Sequence, residues 1–280
     1  MKQEFKASIK RALNDANLTG ALGKFSEAYK VNRTKAYEGI DFEELRGRIA
    51  DAKSSAACHL DEVAETFRKN AEALGAKVFL TRDPEEVKEY ILRVARENGV
   101  KNVVKSKSMA TEEIHLNKAL VEQGITVAET DLGEWIIQLA GQTPSHMVMP
   151  AIHMTKEEVA DIFSKEVNER LDTDIPRLVK VARNELRPKF LEADMGISGG
   201  NIAVAETGSI VLVTNEGNAR LVTTLPRIHI ALIGVEKLVE KFETVVPILD
   251  ALPRSATAQL LTSYVSIISG PTQNDDGTTK

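Results

Sequence analysis

The stretch that decides the fold is residues 196–226, GISGGNIAVAETGSIVLVTNEGNARLVTTLP. Two apolar runs, residues 202–205 and 210–214, are separated by the polar turn ETGS, and the second run leads into NEGN. Short apolar runs bounded by polar, glycine-bearing turns predict a β-hairpin. The first turn also holds a carboxylate, hydroxyls and a glycine, which let a ligand approach the backbone closely. Such residues are also ordinary in turns, but two such loops in succession, followed by Arg220, favour a site.

Upstream of the hairpin, strand and helix patterns alternate along the chain. We predict strands at residues 77–81, 102–104, 125–128 and 146–149, and helices at residues 83–98, 111–123 and 132–139. This alternation predicts an α/β fold with an open, mainly parallel sheet and helices on both faces, into which the β-hairpin is inserted. Ligands in such sheets bind beyond the carboxyl ends of the strands.

The regions on either side of this alternation are predicted to be mostly helical. Residues 1–39 resemble a loosely attached arm, and a long helix runs from an N-cap at Asp41 to Gly75, so that residues 1–74 form an N-terminal extension. Residues 271–280 are a flexible tail or linker by composition. Further elements are predicted as helices at residues 155–171, 176–190 (with a kink or break at Pro188), 245–252 and 256–261, and as strands at residues 228–233 and 264–268.

The loop after the strand at residues 102–104 is a candidate anion site, because it follows the carboxyl end of a strand. It reads VVKSKSMATEEIHLN from residue 103, and it supplies Lys105, Ser106 and Ser108 before Thr111, the predicted N-cap of a helix. Free N–H groups at a helix start favour a carboxylate or phosphate. An ordinary capped loop explains the same pattern, and both interpretations stay open.

The next strand ends in a second polar turn, ETDLGE from residue 129. Asp131 is best explained as a helix cap, which leaves Glu129 and Glu134 as candidates for metal binding or acid–base chemistry. His146 and His153 have no partner at zinc-ligand spacing, and His229 is predicted to be a satisfied core histidine. A zinc site is therefore not expected, and we assign no residue of this chain as a metal ligand.

Composition excludes several classes of function. A net charge of -5 and an aromatic fraction of 5% argue against a nucleic-acid partner. The N-terminus has no apolar run long enough for a signal peptide or a membrane span, so we expect a cytoplasmic protein. The one cysteine, Cys58, rules out an intrachain disulfide and a thiolate-rich cluster built by this chain alone.

Five motifs in the same order and spacing give a resemblance to a known family: VKSKSMATEEIHLN, ETDLGEWIIQL, PSHMVMPAIH, KFLEADMGISGGNIAVAETGSIVLVTNEGNARLVTTLP and LPRSATAQLLTSY. From about Asp41 to Pro271 the chain resembles the LUD domain of the lactate-utilization protein B family, with residues 75–270 as the domain proper. The resemblance implies a fold similar to the ribose-5-phosphate isomerase and CoA-transferase group. It also implies a part in oxidising L-lactate to pyruvate together with other subunits of a lactate-oxidation system.

The cofactors of the family are expected outside this chain. Family members continue into a ferredoxin-like segment with two CxxCxxCxxxCP runs that hold two [4Fe-4S] clusters, whereas this sequence stops at Lys280 and has one cysteine. We expect either a piece of a longer protein, which we favour, or a natural stand-alone relative. In both cases this chain by itself is expected to carry no cofactor and to be redox-inactive.

The resemblance also implies site residues. Glu206 is our candidate catalytic carboxylate, as base or nucleophile, and Lys105 or Arg220 is expected to hold a small carboxylate or phosphorylated ligand. The binding residues predicted alongside them are Ser106, Ser108, Thr111, Glu129, Glu134, Asn201, Thr207, Ser209, Asn215 and Asn218.

Two alternatives to a lactate-oxidising subunit stay open at this stage. One is a stand-alone isomerase-like or acyl-transferase-like enzyme acting on a phosphorylated or CoA-linked small molecule through Glu206 and the Lys105 loop. The other is a docking module whose long helix, residues 41–74, forms the interaction surface. Homo-oligomer formation is compatible with each of them.

Overall fold

The computed structural model describes residues 2–272, and side chains from Phe5 onward. The helices are α1 (Lys2–Leu13), α2 (Ala16–Ala36), α3 (Phe42–Cys58), α4 (Leu60–Ala73), α5 (Pro84–Glu97), α6 (Met109–Glu113), α7 (Leu116–Glu122), α8 (Leu132–Ala140), α9 (Lys156–Glu166), α10 (Ile175–Leu191), α11 (Asn218–Thr224) and α12 (Val245–Thr257). The strands are β1 (Asn102–Lys105), β2 (Thr126–Glu129), β3 (Met195–Ser198), β4 (Ile202–Val204), β5 (Ser209–Thr214), β6 (Ile228–Ala231), β7 (Leu238–Val239) and β8 (Tyr264–Ile268). No helix within the described residues is long and apolar enough to cross a membrane.

The first sheet is parallel throughout and has the strand order β2-β1-β3-β6. Its register aligns the strand ends, because Lys105 pairs with Glu129 on one side and with Ile197 on the other. Ser198 in turn pairs with Ala231. The predicted α/β fold with an open parallel sheet is therefore confirmed, and the carboxyl ends of its four strands lie along one edge.

Alternating residues of the first sheet face two different cores, as expected for a parallel sheet buried on both sides. Val104 and Ala128 pack on one face against α8, α9 and α10, where Trp135 and Phe163 are fully buried. The other face carries its own core, formed by Val103, Val127 and Ile197 with the buried side chains of α5 and α7. Helices on both faces are thus confirmed.

The predicted hairpin is confirmed as the antiparallel pair β4 and β5, in which Ile202 is opposite Val211. It forms the centre of a second sheet, with the order β7-β4-β5-β8, that the sequence analysis did not predict. Ala203 and Ala205 pack against Val63 and Ala64 of α4 on one face of this sheet. The hairpin is therefore the core of a second layered unit and is anchored by helices from the N-terminal region.

Two predicted strands are wrong. Residues 77–81 belong to neither sheet of the described part of the chain, and the rings of Phe79 and Tyr90 stack with their centroids 4.5 Å apart. Residues 146–148 form a bend, in which His146 Nδ1 accepts the backbone N–H groups of Val148 and Met149 at 3.1 and 3.2 Å. Neither run finds a strand partner among the described residues, and Phe79, Leu80 and Met147 are exposed.

Several helix predictions need correction. The long helix at residues 41–74 is two helices, α3 and α4, separated at His59, where φ is -126°. The helix predicted at residues 111–123 begins at Met109 with Ser108 as its N-cap, and it is interrupted at His115, which has a left-handed φ of 54°. Residues 245–252 belong to α12, which extends to Thr257 as one helix, and residues 258–261 are not helical. Pro188 lies within the last turn of α10 without ending it.

The N-terminal arm is helical and docks through its second helix. Tyr37 Oη lies 2.6 Å from Ser255 Oγ on α12, and Arg254 Nε donates to the carbonyl of Ala36 at 2.8 Å. In contrast, residues 5–13 of α1 are all exposed. Most of the predicted tail, residues 273–280, lies outside the described residues.

Candidate functional site

The candidate site is centred on Lys105, the last residue of β1, whose side chain is fully buried. Its ammonium group makes three contacts: Nζ lies 2.9 Å from Glu129 Oε1, 2.9 Å from Thr111 Oγ1, and in hydrogen-bond contact with Glu112 Oε1. Strand β2 supplies Glu129, and helix α6, capped by Ser108, supplies the other two residues. A lysine ammonium has three N–H donors, so the described contacts use all of them.

The two carboxylates keep this lysine charged. Burial opposes the charge, but the nearby Glu129 and Glu112 carboxylates outweigh it and raise the pKa of Lys105. Glu129 is itself deeply buried, and this raises the pKa of its carboxyl group against the opposing effect of Lys105. The cluster is therefore a buried ion pair with one further carboxylate, and it carries a net negative formal charge.

One side of this cluster has unused hydrogen-bonding capacity. Asn117 Nδ2 donates to Glu129 Oε1 at 2.6 Å. Glu129 Oε2 and Asn117 Oδ1 are both buried and have no hydrogen-bond partner among the described residues. Buried polar atoms are normally paired, so these two neighbouring acceptors without donors are a position where a donor such as a ligand hydroxyl or an ordered water would be stabilised.

Glu134 is the second unusual carboxyl group at this edge of the sheet. It lies in the first turn of α8, where its backbone N–H donates to Asp131 Oδ1 at 3.2 Å, and it is only 6% exposed. Burial and the negative charge of Glu129 raise the pKa of Glu134 to about 7, while Lys107 acts in the opposite direction. A carboxyl group with this pKa exchanges a proton near neutral pH, as a general acid or base must.

Thr130, the residue after β2, links the Lys105 backbone to Asn218 of α11. Thr130 Oγ1 donates to the Lys105 carbonyl at 2.9 Å, and Asn218 Nδ2 donates to Thr130 Oγ1 at 3.4 Å. Gly199 faces Ser108 so closely that a Cβ atom on the glycine would lie 3.1 Å from the serine Oγ. The structure thus brings together seven of the predicted residues: Lys105, Ser106, Ser108, Thr111, Glu129, Glu134 and Asn218.

The predicted hairpin residues lie elsewhere and make structural contacts. Glu206 is exposed in the β4–β5 turn, and its Oε2 accepts the Phe242 N–H at 2.8 Å. Gly208 in the same turn packs against the backbone of α4 at Ala71. Strand β4 separates this turn from Gly199, so none of the described contacts links Glu206 to Lys105.

The remaining predicted residues lie in the second sheet, in its turns or beside it. Asn201 Oδ1 accepts the Val213 N–H at 2.8 Å, and Ser209 Oγ lies 2.7 Å from Ser269 Oγ. Asn215 donates to Gln259, and the Arg220 guanidinium lies 5.0 Å from the centre of the Tyr264 ring. Thr207 Oγ1 is buried and unpartnered within the described part of the chain. Their predicted role in ligand binding stays a prediction.

Sequence reasoning missed two supporting side chains. Gln138 accepts the Glu129 N–H at 3.0 Å and donates to the Val127 carbonyl at 2.9 Å, so it fixes the end of β2 from helix α8. Ser198 Oγ lies 2.8 Å from His229 Nε2, and burial lowers the pKa of His229 to about 4. His229 as a satisfied core histidine is confirmed. No local signal marks Gln138 or Ser198, since both act on residues distant in sequence or on a neighbouring strand.

The residues of this chain do not fit an iron–sulfur cluster. A [4Fe-4S] cluster requires four thiolates, whereas the sequence has one cysteine, Cys58, which is exposed on α3. Among residues 2–272, no group of three or more His, Cys, Asp or Glu side chains is placed to hold a metal ion.

Comparison with known proteins identifies a family and several relatives. The LUD domain family model matches residues 64–280. Curated relatives named Lactate utilization protein B are 39% identical over 274 residues in Bacillus velezensis, 42% over 269 in Bacillus pumilus and 39% over 269 in Bacillus subtilis. These alignments cover 97%, 95% and 95% of this chain, but 58%, 57% and 56% of the relatives. The chain thus spans little more than half the length of these proteins.

One solved structure is also similar, a DUF162 family protein from Deinococcus radiodurans. It aligns with 68% of this chain and 90% of its own, at 13% identity and a TM-score of 0.25. A score this low carries no argument about fold or function.

Proposed function

This chain belongs to the LUD-domain family, and on that premise we propose that it acts in lactate utilization as one part of a longer protein. The observation that supports the proposal is the similarity to proteins named Lactate utilization protein B, which extends over 97% of this chain at 39% identity. Similarity along the whole length, rather than in one motif, favours a shared role for the domain.

We further propose that the longer protein oxidises L-lactate to pyruvate together with other subunits. This reaction removes two electrons and two protons from lactate, so it needs an electron acceptor. The single cysteine of this chain makes it unsuited to hold the iron–sulfur clusters expected in the family, and we place those clusters in a segment outside it. This chain would then bind the small carboxylate and exchange a proton with it at the carboxyl edge of its parallel sheet.

The isomerase-like or acyl-transferase-like alternative requires Glu206 and the Lys105 loop to act on one substrate. The contacts favour the lactate proposal over it, because the Glu206 carboxylate accepts a hydrogen bond from the Phe242 N–H at 2.8 Å. Strand β4 also lies between the Glu206 turn and the Lys105 site. The alternative would gain support if the chain alone turned over a CoA thioester or a sugar phosphate.

A growth experiment tests the proposal. Deleting the coding sequence for residues 1–280 in frame from the native host should abolish growth on L-lactate as sole carbon source, while growth on glucose should be unchanged. Supplying the intact gene from a plasmid should restore growth on lactate. Normal growth of the deletion strain on lactate would contradict the proposal.

A further inference from the structure

The two carboxylates that contact Lys105 differ in their access to solvent. The Glu129 side chain is 5% exposed and forms the inner side of the cluster, whereas the Glu112 side chain is 36% exposed. Lys105 itself is fully buried. Glu112 therefore stands between the lysine and the solvent, and access to Lys105 Nζ from outside requires that Glu112 move.

Glu112 lies on an element that is well suited to move. Helix α6 has five residues and is separated from α7 at His115, a non-glycine residue with φ of 54°. A helix of this length is not stable by itself and depends on its contacts. Among the described residues, the polar contacts that bind α6 to the sheet, apart from its N-cap, are those of Thr111 and Glu112 with Lys105.

Charge limits what can replace Glu112. If Glu112 moves away, Glu129 still balances the charge of Lys105, but one buried N–H donor of the ammonium is left without an acceptor, which is costly. A ligand carboxylate in the same position would leave the charge of the cluster unchanged. An uncharged ligand or a cation in that position would change the net charge of the cluster.

We propose that Glu112 occupies, in the ligand-free chain, the place on Lys105 Nζ that the carboxylate of a small ligand takes on binding. The inference deepens the proposed function and rests on it for the choice of lactate as the probe. It assigns to Lys105 the receptor role and to Glu112 the role of an internal competitor.

The unpartnered oxygen of Glu129 favours a ligand that carries a hydrogen-bond donor beside its carboxylate. Lys105 Nζ contacts Glu129 Oε1, and Oε2 of the same carboxyl group has no hydrogen-bond donor in the described part of the chain. A ligand with a hydroxyl group next to its carboxylate can donate to this oxygen. A 2-oxo acid offers only acceptors there, and an acceptor facing a carboxylate is unfavourable. The site therefore selects a 2-hydroxy acid over the corresponding 2-oxo acid.

Calorimetric titration of the chain with sodium L-lactate, sodium pyruvate and sodium acetate tests this inference. Glu112→Gln should bind lactate about fivefold or more tightly than the unaltered chain, because a neutral amide competes less well for an ammonium than a carboxylate does. Glu113→Gln is the matched control, since it removes the same charge from the neighbouring exposed position, and its affinity should stay within about twofold. Lactate should bind more tightly than pyruvate to all three proteins.

The proposal would be overturned if Glu112→Gln bound lactate no more tightly than Glu113→Gln, or if neither protein bound any of the three carboxylates. A preference for pyruvate would overturn the hydroxyl contact with Glu129. Amide NMR shifts supply a second measurement that does not depend on either variant: lactate should shift residues 109–115 and leave the β4–β5 turn unchanged. Because binding is measured in vitro and lactate-dependent growth in vivo, each proposal can fail without the other.

Discussion

Lys105 Nζ lies 2.9 Å from Glu129 Oε1, and this ion pair joins the ends of two adjacent parallel strands inside the protein. The register pairs the two residues directly across the ladder. The position at a carboxyl strand edge is where α/β sheets bind ligands, and the same pair also supports the local fold. Ligand binding and support of the fold can be measured separately, by titration and by unfolding.

Removing the lysine should destabilise the protein severely. Lys105→Met leaves Glu129 buried without its cation, and we expect a loss of about 3–5 kcal/mol in the free energy of unfolding by urea denaturation. Lys118→Met is the control, because its side chain is 79% exposed and its substitution should cost less than about 0.5 kcal/mol. Equal stability of the two variants would show that the buried Lys105–Glu129 pair contributes little to the free energy of unfolding.

Glu134 should make stability fall as the pH rises. The folded pKa of about 7 lies above the model value of 4.5, so the folded state holds a proton that the unfolded state has lost between these pH values. Stability is therefore lost as pH increases from about 4.5 to about 7. Glu134→Gln should match the unaltered protein near pH 4.5 and exceed its stability by about 1–3 kcal/mol at pH 8.

Chemical denaturation at several pH values checks the Glu134 prediction. The comparison between variant and parent is essential, because His229, with its pKa lowered to about 4, makes stability rise with pH over an overlapping range. Glu113→Gln, at an exposed position, should show no such difference. A stability difference that does not change with pH would argue against an elevated pKa at Glu134.

Gly196 should tolerate no side chain. A Cβ atom there would lie 1.9 Å from the Val222 carbonyl oxygen, so β3 and α11 would have to separate. We expect Gly196→Ala to cost about 3 kcal/mol or more, at or beyond the upper end of typical overpacking penalties. Gly217→Ala is a matched control with no atom within 4 Å of its Cβ position and no positive φ. Thermal unfolding measures both variants, and similar melting temperatures would contradict the close contact between Gly196 and the Val222 carbonyl.

Glu206→Gln should change stability only slightly, by less than about 1 kcal/mol, because the amide oxygen can still accept the Phe242 N–H. Glu206→Ala removes that acceptor and should cost about 1 kcal/mol. Lactate-dependent growth with the glutamine variant then tests the predicted catalytic role. Loss of growth at unchanged stability would support it, and normal growth would assign Glu206 a structural role alone.

The sequence by itself determined the elements whose signals are local. The N-cap at Asp41, the start of α5 after Asp83, the cap at Asp131 and the β4–β5 hairpin all appear where they were predicted. Each depends on residues within a few positions of one another. The parallel sheet also followed from local alternation of strand and helix patterns, because few connections between such elements are physically allowed.

Only the tertiary structure decided which side chains meet. The apolar run at residues 77–81 lacks a strand partner among the described residues, whereas β8 finds one in β5, fifty or more residues away. Lys105 was predicted as an anion receptor, but the fold surrounds its ammonium with Glu129 and Glu112, so its donors are already engaged. The physical reason is the same in both cases. Strand pairing and buried charge compensation depend on groups that are far apart in sequence, and their proximity is created only when the strands align and the helices pack over them.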